Sequence, residues 1–378
     1  SCEPNAILFT MGDNDTFPLW YIQEVEGYRT DVRIVNLSLL NTDWYIDQMK
    51  RDAYDGKGVP FSLKRNQYKQ GTRDVAIFID KGASDKRLNL KDFNKWIKSD
   101  RQETKINIGK DYDFYYTKKI RIPVNKNNIK DLHRDSVLDF LDIELKTSQL
   151  EKKDIMILDL IEKNDWERPI YFAITVGRDN FMGLEKYFQL EGLAYRLVPY
   201  IAKSPDGQTG IVYADKMYER LVNNFQWGGL NNPDLYFDET NTRMVMNFRN
   251  NYSRLAEELL QKRDTVKAIQ TLDKCMSEFP RDVVNFSYFA LPIIDIYYKL
   301  EEDEKGKQML SVMMDDYLTE IKYLKEFDRG SGLKRNIEIT GQVLGSLGRV
   351  LQIHKLEDIS FTYTNEEGVY YKNKGENK

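Results

Sequence analysis

Histidine and cysteine are nearly missing from this chain: its 378 residues hold two of each. Cys2 and Cys275 are far apart and fall in different predicted domains, so they assemble neither a disulfide framework nor a zinc knuckle. His133 and His354 each lack a second histidine at metal-ligand spacing, which sets histidine-based acid, base and metal chemistry aside. Long apolar runs are missing too. No window approaches the roughly 18 apolar residues of a membrane-spanning helix. Nor is there an excess of positive charge: 56 Lys and Arg against 60 Asp and Glu leave a net charge of −4. A nucleic-acid binder releases counterions with a basic field, and without one nucleic acid is excluded as a partner. The short cluster Lys118, Lys119 and Arg121 is predicted to be one solvated strand face. The chain opens Ser1, Cys2, Glu3, Pro4, with no initiator methionine and no signal-peptide pattern, and is read as part of something longer.

What is there begins with Gly12, Asp13, Asn14, Asp15, Thr16 and Phe17, an acidic loop set between a strand-like run (6–10) and a proline-started helix (18–26) closed by Gly27. α/β proteins place ligand contacts in such loops. A strand over 32–37 and a helix over 42–52 repeat the unit, which predicts crossover connections on a parallel or mixed sheet with flanking helices. The segment 56–128 is less regular, with strands expected at 75–79 and 119–124, and suggests no chemistry. Helices are expected at 136–146 and 153–164, a strand at 170–175 and a helix at 184–197. This α/β domain spans 1–202.

Gly, Pro, Asp and Asn then mark 203–247 as a connecting segment. From there to 365 the pattern is all-α. Tyr252, Ala256 and Leu259, followed by Ala268, Leu272 and Cys275 and closed by Pro280, occupy the packing positions of a tetratricopeptide repeat. Ala290 follows Ala256 by the 34-residue period of that repeat, whereas Gly306 arrives 38 residues after Ala268. One good unit and one degenerate unit predict a short tetratricopeptide-like domain, capped by a helix over 333–353. The polar tail 366–378 is expected to be disordered.

Setting Gly12 over Gly177 reveals a correspondence. Both follow a strand, both precede Asp and Asn, and Glu26-Gly27 answers Glu191-Gly192. If the two strands are parallel in one sheet, Asp13, Asn14, Asp15, Arg178, Asp179 and Asn180 lie on one rim, where carboxylate and amide oxygens suit a divalent cation or sugar hydroxyls. Helix capping outweighs that reading, because Asn14, Asp15, Thr16, Asp179 and Asn180 are all N-cap types and Pro18 suits a first turn. Trp20, Tyr21, Trp44, Tyr45 and Trp166 have the shape to stack on sugars, but aromatic residues at helical spacing are mostly core or interface. Asp43 and Asp47 are read as a solvated helix face. No catalytic residue is assigned, since no serine or threonine has a base or an oxyanion loop beside it.

Four runs carry a family resemblance: NAILFTMGDNDTFPLWYIQEVEGYRTDVRIVNLSLLNTDWYIDQM at 5–49, NDWERPIYFAITV at 164–176, LEKYFQLEGLAYRLVP at 184–199 and DETNTRMVMNFRNNYSRLAEEL at 238–259. They resemble the region that follows the membrane part in a large Bacteroidetes family long labelled a domain of unknown function. That family looks like the GT-C class of polyprenyl-phosphate-sugar-dependent glycosyltransferases and is similar to animal protein O-mannosyltransferases acting on plexin-type receptors. The resemblance implies a non-catalytic region at the periplasmic face of the inner membrane, tethered by an N-terminal membrane domain. It also implies acceptor proteins as partners and a polyprenyl-phosphate sugar as the donor of the full-length protein, with no cofactor in this fragment. Two rival functions are a metal-assisted hydrolase using the acidic rim and a protein-interaction scaffold without ligand.

Overall fold

The computed structural model describes residues 1–129, 137–327 and 332–356 in full, and the backbone of 363–365 and 368–371. The chain divides into two compact units, Ser1–Lys216 and Met217–Lys378. A mixed α/β region precedes a helical one.

The first unit begins with β1 (Ile7–Thr10), α1 (Asp13–Glu24), β2 (Arg33–Asn36) and α2 (Asp43–Met49). Next come α3 (Arg65–Tyr68), β3 (Val75–Phe78), β4 (Leu88–Asn89), α4 (Leu90–Ile97), β5 (Lys105–Asn107), β6 (Asp111–Tyr115), β7 (Lys119–Pro123), β8 (Phe140–Glu144) and β9 (Gln149–Glu151). It ends with α5 (Lys152–Asn164), β10 (Ile170–Ala173), β11 (Phe188–Leu190), β12 (Ala194–Leu197) and β13 (Ile211–Val212). The main sheet has the order β13-β11-β12-β10-β1-β2. β1 runs parallel to both neighbours, Ile7 pairing with Arg33 on one side and Ile170 on the other. It is buried along its whole length, which is why Ile7, Leu8 and Phe9 form an unbroken apolar run. Beyond β10 the direction reverses, since β12 is antiparallel to it. Phe9, Phe172, Phe181 and Phe188 pack ring on ring, with successive centroids 4.8, 5.7 and 5.0 Å apart.

The irregular segment forms two small sheets, β5-β6-β3-β9 and β4-β7-β8, with α4 touching both. The basic cluster on β7 is held by partners there. Arg121 grips Asp142 through two 2.8 Å hydrogen bonds, and Lys119 meets Asp85 at 2.6 Å. α5 is buried on nearly all sides, through an apolar stretch at 155–161 interrupted only by Asp159, which is itself buried. Its first turn carries Asp154, whose carboxylate accepts the Glu151 N–H at 2.8 Å. Burial pushes that carboxyl up to about 6.

Three local expectations are corrected. The helix expected at 184–197 is a 3-10 turn (Glu185–Tyr187) followed by the β11–β12 hairpin. Gly192, at φ 96°, supplies the left-handed turn that breaks the apolar spacing into two short strands. The helix expected at 136–146 is instead β8, paired antiparallel with β7; residue 136 itself, like His133, lies outside the described residues. Leu141 and Ile143 are buried while Phe140 and Glu144 are exposed, an alternation of period two. Finally, α1 starts at Asp13, which leaves Pro18 in its interior. Asn14, whose carbonyl Pro18 cannot serve as helical donor, is an exposed residue.

α6 (Ala214–Tyr218) contains the division between the units. The second unit continues with α7 (Glu239–Gln261), α8 (Thr265–Glu278), α9 (Leu291–Lys299), α10 (Asp303–Phe327) and α11 (Lys334–Ile353). Ala256, Ala268 and Ala290 are fully buried. Gly306 is also buried, and a Cβ there would lie 2.9 Å from the Tyr298 ring. Trp227, from the Gly-rich connecting segment, is packed against Phe248 and Phe279 at 4.9 and 4.8 Å. Arg249 is wholly buried in α7 and donates to the carbonyls of Phe279, Val284 and Asn285 at 2.7, 2.6 and 2.8 Å. Desolvation lowers this guanidinium to about 10. Within the tail expected to be disordered, β15 (Gly368–Tyr371) pairs antiparallel with β14 (Tyr363–Asn365). Val369, Tyr370 and Tyr371 are strong β-formers set among polar residues. Residues 366–367 and 372–378 lie outside the described residues.

Candidate functional site

Because β1 and β10 are parallel neighbours, the Gly12 and Gly177 loops leave the sheet on the same rim. They meet where the Thr175 hydroxyl donates to Asp15 Oδ2 at 2.6 Å. The same oxygen accepts the Met11 N–H at 2.9 Å. Asp15 therefore turns inward and joins two strand ends. Beneath it Thr16 Oγ1 donates to the Gly12 carbonyl at 2.6 Å and lies 2.7 Å from Thr10 Oγ1. Asn36 Nδ2 reaches the Gly12 carbonyl at 2.9 Å, and Asn36 Oδ1 takes the N–H groups of Ser38 and Leu39. Thr10, Thr16 and Asn36 are almost completely buried, so their hydrogen bonds to each other and to the backbone satisfy polar groups that water cannot reach. Sequence reasoning missed Asn36 and Thr175, which become partners of the loop only when the strands pair.

The remaining rim residues behave differently. Asp13, Asn14 and Asp179 are exposed, and their side chains make no hydrogen bond or ion pair among the described residues. Arg178 Nε donates to Thr209 Oγ1 at 3.1 Å, while the mostly buried Asn180 faces the Gly177 carbonyl at 3.4 Å. The two loops share a rim, but no hydrogen bond or ion pair connects Asp13 or Asn14 with Arg178, Asp179 or Asn180. Among the described residues no three His, Cys, Asp or Glu side chains gather to hold a metal ion. Capping also differs from expectation. Gly12 is the N-cap of α1, with no side-chain cap bond, and Asp179 and Asn180 lie in a 3-10 turn with no helix behind it. The counterpart of Glu26-Gly27 is likewise not structural. Glu26 is exposed at a helix end, whereas Glu191 is fully buried in a hairpin, accepting from Tyr171 at 2.8 Å and Gln189 at 2.6 Å.

Gly12 has φ 83° and ψ −166°, a conformation essentially reserved for glycine. Among the described residues, nothing beyond its chain neighbours lies within 4 Å of where its Cβ would stand, so the demand is on the backbone alone. Gly12→Ala is expected to cost about 1–3 kcal/mol in urea unfolding; an unchanged midpoint would contradict the assignment.

Beside the rim, α1 presents an apolar face. Phe17, Tyr21 and Val25, four residues apart, are 50%, 56% and 65% exposed, and Phe17 stacks on Trp20 at 5.5 Å. Of the other aromatic candidates, Tyr45 is core, Trp44 is exposed, and Trp166 is tied to the Pro123 carbonyl at 2.9 Å. Asp43 and Asp47 are both paired with Arg65.

The helical unit has a larger feature, a trough of about 750 Å³ between α8 and α10. Met276, Phe286, Met309 and Val312 provide apolar lining. Lys305 of α10 reaches Asp273 of α8 at 2.8 Å, and Arg281 reaches Asp316 at 2.5 Å.

A family model for TMEM260-associated domain 2 matches residues 1–216. The chain belongs to that family. No curated protein and no solved structure matches it. The family match ends at Lys216, where the first compact unit ends. The rim and the α1 face thus lie within the TMEM260-associated domain, and the trough lies in the helical unit that follows. No helix among the described residues is long and apolar enough to cross a membrane.

Proposed function

We propose that this chain is the non-catalytic, extracytoplasmic region of a membrane glycosyltransferase and that it positions the acceptor protein. The observation that carries this reading is the TMEM260-associated domain spanning the whole α/β unit. The full enzyme would be a Bacteroidetes member of the GT-C class, drawing sugar from a polyprenyl-phosphate donor in a membrane domain at the periplasmic face. Two features of the chain support a non-catalytic role. The rim carboxylate with the most partners, Asp15, is spent on joining strand ends, and among the described residues the exposed acids Asp13 and Asp179 make no hydrogen bond or ion pair. In this reading the exposed aromatic face of α1 seats the membrane domain, and the helical unit holds the acceptor.

Removing 217–378 from the full-length enzyme separates these roles. Acceptor kcat/KM is expected to fall about ten-fold or more, because the acceptor loses its second attachment. Binding of the donor lipid should be unaffected. Unchanged acceptor kinetics would sink the proposal.

A further inference from the structure

The trough between α8 and α10 has a lining whose charge and shape select one kind of occupant. Four aspartates, Asp273, Asp282, Asp315 and Asp316, face two cations, Arg281 and Lys305. Two of the aspartates are committed to bridges across the trough, Asp273 with Lys305 and Asp316 with Arg281. The first joins α8 to α10, and the second joins the segment that follows α8 to α10. The other two are not neutralised in the same way. Asp315 is exposed and makes no ion pair or hydrogen bond among the described residues. The Asp282 side chain is 83% exposed and comes only within 3.5 Å of Arg281, which is already engaged by Asp316. The lining therefore keeps a surplus of two negative charges over an apolar floor.

The floor has its own chemistry. Met276 and Met309 contribute unbranched thioethers, which adapt to differently shaped apolar side chains, and Phe286 and Val312 complete it. A volume of about 750 Å³ holds several side chains at once. An occupant must bury apolar groups on this floor and bring positive charge to Asp282 and Asp315. A small sugar offers neither feature, and an anionic ligand would be repelled.

We infer that this trough binds a segment of a partner protein in which bulky apolar side chains alternate with Lys or Arg. This deepens the acceptor-positioning role proposed above by naming the chemistry of the docked segment. The apolar side chains settle on Met276, Met309 and Val312, and the flanking cations pair with Asp282 and Asp315. Exposed charges of this kind govern encounter and selectivity, so binding weakens as salt rises.

The test uses the full chain and a short fluorescein-labelled peptide of Lys-Leu-Leu-Lys repeats, followed by anisotropy. Saturable binding is expected. It should weaken at least about ten-fold in the double variant Asp282→Lys with Asp315→Lys, and about five-fold in Met276→Ser, which leaves the charge untouched. Peptides of Glu-Leu-Leu-Glu and of Lys-Gly-Gly-Lys should bind at least about ten-fold more weakly than the probe. No saturable binding overturns the inference. So does binding indifferent to the two aspartates, or equal binding of the Lys-Gly peptide, which would show ion exchange alone. If the double variant fails to fold by circular dichroism, Asp315→Asn replaces it, with a loss of about three-fold expected and no change counting against the site. The two proposals fail separately. Peptide binding by the chain alongside unchanged acceptor kinetics after removal of 217–378 would refute the acceptor role and leave the trough intact. A kinetic loss with no peptide binding would do the reverse.

Discussion

Replacing Arg249 by alanine is expected to lower the stability of the helical unit by about 4 kcal/mol and its unfolding midpoint by about 10 °C. Among the described residues the side chain is the largest that the unit buries completely, and no carboxylate is bonded to it. Its charge is instead spread over backbone carbonyls of the link between α8 and α9, with the Phe286 ring 4.9 Å from the guanidinium carbon. Alanine leaves a cavity and strips the carbonyls of Phe279, Val284 and Asn285 of this donor at once. Arg249→Lys should recover only part of the loss, because one ammonium cannot reproduce the planar fork that reaches all three. Calorimetry of the full chain reads the result, and a cost below about 1 kcal/mol would show that the link holds its shape without the arginine.

The second large effect is a gain. Asp154→Asn should stabilise the chain by about 3 kcal/mol at about pH 8, with the difference vanishing near pH 4. Burial raises the folded-state value of Asp154 from 3.8 to about 6. A carboxyl raised in this way contributes stability that is fully present below its unfolded value and is lost as pH rises through the folded one. Above about pH 6 the wild type therefore carries an ionised group in a site that disfavours it. Asparagine keeps an oxygen to accept the Glu151 N–H, so the α5 cap survives. Carboxylates such as Asp142, held low by their hydrogen bonds to arginine, lose stability in the opposite direction as acid is added. Comparing variant with wild type at each pH in urea cancels them. A variant less stable than wild type at about pH 8 would mean that the helix N-terminus favours the charge more than burial opposes it.

Which features were legible in the residues follows from the range of the interactions that set them. β1 and β10 announce themselves because their short apolar runs are buried at every position, and α5 because its apolar stretch, broken only by Asp159, is too long for a strand. The rim topology could be anticipated as a condition, and β1 and β10 meet it by pairing in parallel. The orientation of Asp15 could not, because its partner Thr175 is 160 residues away. The hairpin at 188–197 was concealed because Tyr187, Leu190, Ala194 and Leu197 recur at helical spacing while Phe188 and Leu190 alternate as in a strand, and a single left-handed glycine decides between them. The trough was equally hidden. Its aspartates are scattered over 273–316, and only helix packing brings them to one lining.

The position of β1 at the middle of its sheet also sets a timetable for synthesis. One of its edges is covered by β2 within a few dozen residues, but the other must wait for β10, since Ile7 pairs with Ile170. At ribosomal rates of about 5–20 residues per second, that edge stays open for about 8–30 s. An apolar strand with a free edge is a template for pairing with other chains. The nascent chain thus carries an open apolar strand edge until β10 has been made, before its helical unit exists.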